Sequence, residues 1–267
     1  MTEHERVRTV RRRRVIGDDT RQPDEDHVAV EEPLEIRIEG RPVAVTMRTP
    51  GADLDLAAGF LFTEGVVDGC DDLTALAHVD DPSDPKGNTV DVVLASGVGH
   101  NRRHRADREL FASSSCGVCG KATIDRIYQS IPPQSRSFQV APGVLHGLSD
   151  RLRTQQAVFG QTGGLHAAAL FHPTGVLEVV REDIGRHNAV DKVIGWRLRS
   201  DAVPIDDRIL WLSGRAGFEI VQKAAMAQIP WVVSVGAPSS LAIDLAHRVG
   251  LGLIGFLRDG RYNDYSA

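Results

Sequence analysis

Ile209-Leu210-Trp211-Leu212, then Ser213-Gly214-Arg215, then Phe218, Val221, Ala224, Ala225 and Gln228 at helical spacing, then Trp231-Val232-Val233-Ser234-Val235: this order decides the fold. A short apolar run too brief for a helix, a turn, an amphipathic stretch and a second apolar run form a β-α unit leading into the next strand. The pattern repeats with Leu241 to Val249 as a helix and Gly252 to Leu257 as a strand. Such alternation predicts parallel strands joined by right-handed crossovers. All three strands then end on one edge of the sheet, where open α/β folds place their ligands. The ends carry Ser213-Gly214-Arg215, Gly236-Ala237-Pro238-Ser239-Ser240 and Arg258-Asp259-Gly260-Arg261. Glycine admits close backbone approach, helix N-termini offer free N–H groups, and arginine grips phosphate bidentately. Each end alone reads first as an ordinary turn with a helix cap, Ser239 capping the helix that follows. Their convergence points to a phosphate or nucleotide.

Composition sets the outer limits. A chain of 267 residues, 42% of them hydrophobic, can bury a sizeable core without a structural metal or disulfide. Its formal net charge of −5 argues against a general nucleic-acid binder. No apolar run reaches the roughly 18 residues of a membrane span. Met1-Thr2-Glu3-His4-Glu5 lacks the apolar region of a signal peptide, and the residues after the Arg11 to Arg14 cluster are too polar for one, so a cytoplasmic location is expected. Of three cysteines, two form Cys116-Gly117-Val118-Cys119, a usage that suits a reducing compartment.

Working outward, residues 1–30 mix arginines with acidic residues, show no apolar period and read as a mobile tail. Residues 31–110 read as a β-rich N-terminal portion. Leu34 to Ile38 and Val43 to Met47 alternate about a turn at Glu39-Gly40, Asp53 to Phe62 is a helix entered through a capping aspartate, and Thr89 to Leu94 is a strand. Gly97 to Arg108 reads as an exposed loop. Residues 111–267 form the α/β portion, opening with a helix that carries Ile124, Ile127 and Tyr128 on one face and stops at Pro132-Pro133. A helix follows around 142–157, then strands from Leu165 to Phe171 and Val176 to Val180, and a helix from about Asn188.

Two further segments could carry chemistry. Cys116, after three serines and five residues before Lys121, is expected at a helix start, where the dipole and nearby positive charge favour the thiolate. A thioredoxin-like pair, a structural zinc site, a zinc deaminase and a sulfur-relay thiol all remain open on spacing alone. The first lacks its usual context, the second a further C-x-x-C, and the third its H-x-E and preceding proline. Arg181-Glu182-Asp183-Ile184-Gly185-Arg186-His187-Asn188-Ala189-Val190-Asp191-Lys192 is dense in polar groups, which cost desolvation unless they pair internally or with a ligand. An internal salt-bridge network at a helix start accounts for some of them; His187 is kept as a site candidate. His166 reads equally as a core or a site histidine, and nothing around Cys70 suggests reactivity.

Taken together, several segments resemble the FdhD family of formate dehydrogenase accessory sulfurtransferases. They are Glu31-Glu32-Pro33-Leu34, Arg48-Thr49-Pro50-Gly51, Leu56 to Leu61, Ser115 to Lys121, Thr162 to His166, Arg181 to Lys192, Ser213-Gly214-Arg215, Gly255-Phe256 and Asn263. The resemblance runs from about residue 30 to the C-terminus. It implies a cytidine-deaminase-like mixed α/β sheet with helices on both faces, and a homodimer. It also implies that Cys116, with Cys119 assisting, accepts sulfur as a persulfide from a cysteine desulfurase. The cargo would be the molybdenum bis(molybdopterin guanine dinucleotide) cofactor, sulfurated before insertion into formate dehydrogenase. Phe256, Leu257, Arg258, Asp259, Gly260 and Arg261 match the family's cofactor-binding stretch, and Arg215 and His187 would orient phosphates and guanine. No protein-bound metal is implied. A cofactor-binding chaperone without sulfur transfer and a zinc-dependent deaminase are the alternatives.

Overall fold

The parallel run expected at the C-terminus is present in the computed structural model, which describes residues 6–16, 19–20, 23–98, 131, 134, 136–258 and 260–266. It is built of β11 (Ile209–Leu212), α5 (Phe218–Met226), β12 (Trp231–Ser234), α6 (Ser240–Val249) and β13 (Gly252–Arg258). β11 pairs in parallel with β12, and β12 with β13. Antiparallel strands complete a six-stranded sheet of order β10-β9-β11-β12-β13-β14: β9 (His166–Phe171), β10 (Leu177–Asp183) and β14 (Arg261–Asp264). α2 (Pro142–Arg153) and α3 (Ala157–Thr162) precede β9, and α4 (Arg186–Arg199) follows β10.

Alternation along the strands sends side chains to both faces, and both faces are covered. Ala168, Leu170, Leu210, Leu212, Val232 and Leu253 point into one hydrophobic cluster with α4, α5 and α6. Ala169, Phe171, Ile209, Trp211, Val233 and Ile254 point into another, where Leu145, Leu148 and Leu152 of α2 cover them. The expected mixed α/β architecture with helices on both faces is thus observed.

The N-terminal portion is a four-stranded sheet of order β6-β5-β8-β7, from β5 (Glu32–Ile38), β6 (Arg41–Arg48), β7 (Leu73–His78) and β8 (Thr89–Leu94). β5 and β6 form the expected hairpin; Glu39 and Gly40 at its turn both have positive φ, 51° and 78°, as a type I′ connection requires. Leu34, Ile36, Val90 and Val92 from its inner face join the same cluster as Leu56 and Leu61 of α1 (Asp53–Thr63), Ala189 of α4 and Val232 of β12. The two portions therefore share one core, with α1 packed against α4.

Two expectations need correction. The stretch before residue 30 is not without regular structure: β1 (Val7–Arg12) and β4 (Asp24–Ala29) pair antiparallel, and β2 (Val15–Ile16) pairs with β3 (Asp19–Thr20). Charge rather than apolar burial marks this ribbon, since Arg12 reaches Asp24 at 3.0 Å and Asp26 at 2.7 Å, so apolar periodicity cannot reveal it. Asp53 does not cap α1. Ala52, with left-handed backbone, stands at the cap position, and the Asp53 carboxylate is held by Arg48 at 3.0 and 3.1 Å. Among the described residues no helix is long and apolar enough to cross a membrane.

Candidate functional site: a strand-end edge lined by glycines and arginines

Register alone assembles the site. Leu212 lies opposite both Ala168 and Ser234, and Asp183 lies opposite His166, so the ends of β10, β11 and β12 and the start of β9 share one edge. The chain leaves that edge into the N-termini of α4, α5 and α6, whose partial positive charge adds to it. Backbones here approach closely. A Cβ at Gly236 would lie 2.8 Å from the Gly214 carbonyl oxygen and 3.0 Å from Arg215 backbone, and one at Gly255 would lie 2.8 Å from Pro238. Ser234 Oγ donates to the Gly214 carbonyl, Gly236 N donates back to Ser234 Oγ at 3.1 Å, and Phe256 N donates to the Gly236 carbonyl at 3.0 Å. The three turns are locked to one another. Ser239 caps α6 as expected, accepting from Ala242 N at 3.3 Å.

At the β13 end, a register shift between Gly255 and Arg258 accompanies a positive φ of 56° at Phe256. A bulky residue in left-handed backbone costs on the order of 1–3 kcal/mol and is found where surrounding structure enforces it. Phe256 is half-buried, whereas the Leu257 side chain is buried with Trp231 and Ile254, leaving its backbone at the edge. Arg258 and Arg261 are exposed and directly opposite each other across the β13–β14 turn, with Gly260 at φ 71° between them. Like charges placed opposite on paired strands repel, and an anion between them would remove that cost. Arg215 is exposed at the end of β11. Asp259, Cys116 and Cys119 lie outside the described residues, as do the loop to Arg108 beyond Val98 and the helix expected around Ile124 to Tyr128. Cys70 is half-buried with a free thiol.

His187, in the first turn of α4, places its Nε2 3.1 Å from Oε2 of Glu219 in the first turn of α5. Burial, followed by the positive charges of Arg186 and Lys223, pushes its pKa down to about 3, so it is neutral. His166 is half-buried and likewise shifted down, by burial first and then by Arg186 and Arg215, with Asp183 opposing. His166 therefore belongs to the edge. The sequence carries no signal for Glu219, one acid in a helix's first turn.

Most of the polar segment 181–192 is an internal network, as one of its two readings expects. Asp183 accepts from Lys192 Nζ at 2.7 Å, Gly185 N at 2.8 Å, Asn188 Nδ2 at 3.0 Å and Thr49 N at 3.2 Å. Arg181 pairs with Asp55 at 2.9 Å, and Glu182 accepts from Phe159 N at 2.9 Å. Asp191 pairs with Lys223 at 2.9 Å. Burial works against the Lys223 charge, but Asp191 and Glu64 outweigh it and hold the amine protonated. Arg186, inside this segment but not singled out by sequence, is the member the network leaves over.

Fold and edge together define the class: a mixed α/β protein whose parallel strands end in interlocked glycine turns and arginines, the arrangement open sheets use to receive an anionic ligand. Within that class the chain belongs to the FdhD/NarQ family, whose family model matches residues 29–267. It is 46% identical over 275 residues to the sulfur carrier protein FdhD of Mycobacterium tuberculosis, covering 99% of this chain and 96% of that one. Similarity to the sulfur carrier protein FdhD of Streptomyces avermitilis is 47% over 251 residues, covering 90% and 87%. Among solved structures, a "putative formate dehydrogenase accessory protein" from Desulfotalea psychrophila superposes with a TM-score of 0.77, covering 98% of this chain and 97% of the other at 24% identity.

Proposed function

We propose that this protein is a sulfur carrier that serves formate dehydrogenase. In the first step the Cys116 thiolate attacks the terminal sulfur of a cysteine desulfurase persulfide. A new S–S bond forms on Cys116 as the desulfurase S–S bond breaks and its cysteine leaves as the thiolate, so no external oxidant is needed. In the second step the Cys119 thiolate attacks Cys116 Sγ: a Cys116–Cys119 disulfide forms and the persulfide S–S bond breaks. The outer sulfur leaves as sulfide for molybdenum of the bis(molybdopterin guanine dinucleotide) cofactor before that cofactor enters formate dehydrogenase. The two thiols supply both electrons, and a cellular dithiol reductant restores them afterwards. The cofactor is cargo. Its guanine dinucleotide carries a pyrophosphate, and the strand-end edge supplies what a pyrophosphate needs: backbone amides at glycine turns, helix N-termini, and Arg215, Arg258 and Arg261.

The observation that carries this reading is the facing pair Arg258 and Arg261 at the end of β13, held beside glycine turns in a chain of the FdhD/NarQ family. Family membership at 46% identity to named sulfur carriers supports the sulfur chemistry. The test is mass spectrometry of the full chain after incubation with a cysteine desulfurase and cysteine. A gain of one sulfur on Cys116, lost in Cys116→Ala together with formate dehydrogenase activation in cells, is expected. An unmodified Cys116 under conditions that load a known carrier overturns the proposal, and full activation by Cys116→Ala favours a chaperone role instead.

A further inference from the structure

Arg186, the first residue of α4, is half-buried, and its Nε is sealed from water with no hydrogen-bond partner. Among the described residues it has no ion pair. Arg48, Arg181, Arg197 and Arg208, also withdrawn from solvent, are each matched to a carboxylate. Asp183, three residues before it, is committed to Lys192 and three N–H groups. An N–H drawn from water without an acceptor is costly, and an anionic group brought to Arg186 on binding offsets that cost.

What lies beside Arg186 fits such a ligand. Gly214, at the end of β11, has no side chain, and its place is taken by neighbours: a Cβ there would lie 3.1 Å from His166 Nδ1 and 3.9 Å from Arg186 Cδ. The His166 ring and the Arg186 stem thus converge on bare backbone at the strand-end edge. A neutral imidazole there has one N–H to donate, and the first turn of α4 adds free backbone donors.

We infer that Arg186 and His166, converging over Gly214, form an oxyanion pocket that takes a phosphoryl group of the guanine nucleotide. This rests on the nucleotide reading of the edge given above. Arg186 is then a binding residue and the glycine at 214 is what lets the two side chains close over the strand end.

Isothermal titration of the full chain with GDP, guanosine and inorganic pyrophosphate tests it. Charge-assisted contacts to phosphate make Arg186→Gln weaken GDP binding about tenfold or more, about 1.4 kcal/mol per tenfold, with guanosine binding unchanged and Arg186→Lys intermediate. GDP binding by Arg186→Gln as tight as wild type overturns this inference and leaves the nucleotide reading standing. Failure of the unsubstituted chain to bind GDP or pyrophosphate removes that reading, and the inference with it. Should Arg186→Gln not fold, the imidazole signals of His166 in the unsubstituted protein decide: pyrophosphate shifts them, and unmoved signals count against the pocket.

Discussion

Lys192 and Asp183 are both almost wholly inside the protein, 2.7 Å apart, and each depends on the other to remain there. Burial first, and then the charge of Arg6, pulls the Lys192 amine below its usual pKa, with Asp183 and Asp53 acting against that. Removing one charge strands the other in a medium that cannot solvate it, at a cost of about 3–5 kcal/mol. Lys192→Met should lower the denaturant midpoint accordingly, and adding Asp183→Asn should recover part of the loss; a single variant within about 1 kcal/mol of wild type contradicts the assignment. His187 makes a pH-dependent prediction. Its folded pKa of about 3 lies below the ordinary 6.5, so the unfolded chain takes up its proton more readily. Stability from this residue is complete above pH 6.5 and declines as pH falls toward 3. Arg186, Lys223 and His166 oppose its protonation, while Glu219 is the carboxylate it faces. Thermal melts at pH 7.5 and 5.5 should show His187→Gln losing less stability on acidification than wild type, and equal losses would contradict it.

Two helices meet where neither has room for a side chain. A Cβ on Gly59 of α1 would lie 1.9 Å from the Asp191 carbonyl oxygen, and one on Gly195 of α4 would lie 1.8 Å from the Asp55 carbonyl oxygen. Both obstacles are backbone, so Gly195→Ala must part the helices that join the two sheets. Overpacking costs typically 1–3 kcal/mol and here should reach or exceed the upper end. A circular-dichroism melt that moves by under about 2 °C would show the crossing to be looser. This contact was not legible in the sequence, because α1 is buried on nearly every side and its apolar residues therefore show no single face. The β11-α5-β12-α6-β13 run was legible, since parallel strands are short continuous apolar runs and α6 has a clear apolar face. Strands β9 and β10 were legible as strands, but their antiparallel placement beside β11 was not, because it depends on contacts distant in sequence. At the edge, Ser213-Gly214-Arg215 and the Arg258 to Arg261 turn could be read from residue type. Arg186 and Glu219 could not, since their roles depend on which acids and bases the fold has already paired.

For the molecule as a whole, folding gathers excess positive charge at one edge of a chain whose net charge is −5. Arg186, Arg215, Arg258 and Arg261 all stand there, alongside three helix N-termini, with Glu219 in the first turn of α5 as an acid among them and Asp183 and Asp191 engaged in the network behind. Bringing like charges together opposes folding, so a ligand that neutralises them binds the native state alone and stabilises it by mass action. At 100 times its dissociation constant GDP should add about 2.7 kcal/mol, a rise in melting temperature of roughly 5–10 °C for a chain of this size. The same field is screened by salt, with a Debye length of about 10 Å at 0.1 M and about 3 Å at 1 M. Without ligand, moderate salt should therefore raise the melting temperature by relieving the repulsion, and with GDP present it should shrink the ligand-induced shift. Scanning calorimetry at 0.05 and 0.5 M sodium chloride, with GDP and with guanosine, separates the contributions. A GDP shift that is independent of salt, or that guanosine reproduces in full, would mean that the base and not the phosphates is what the edge holds.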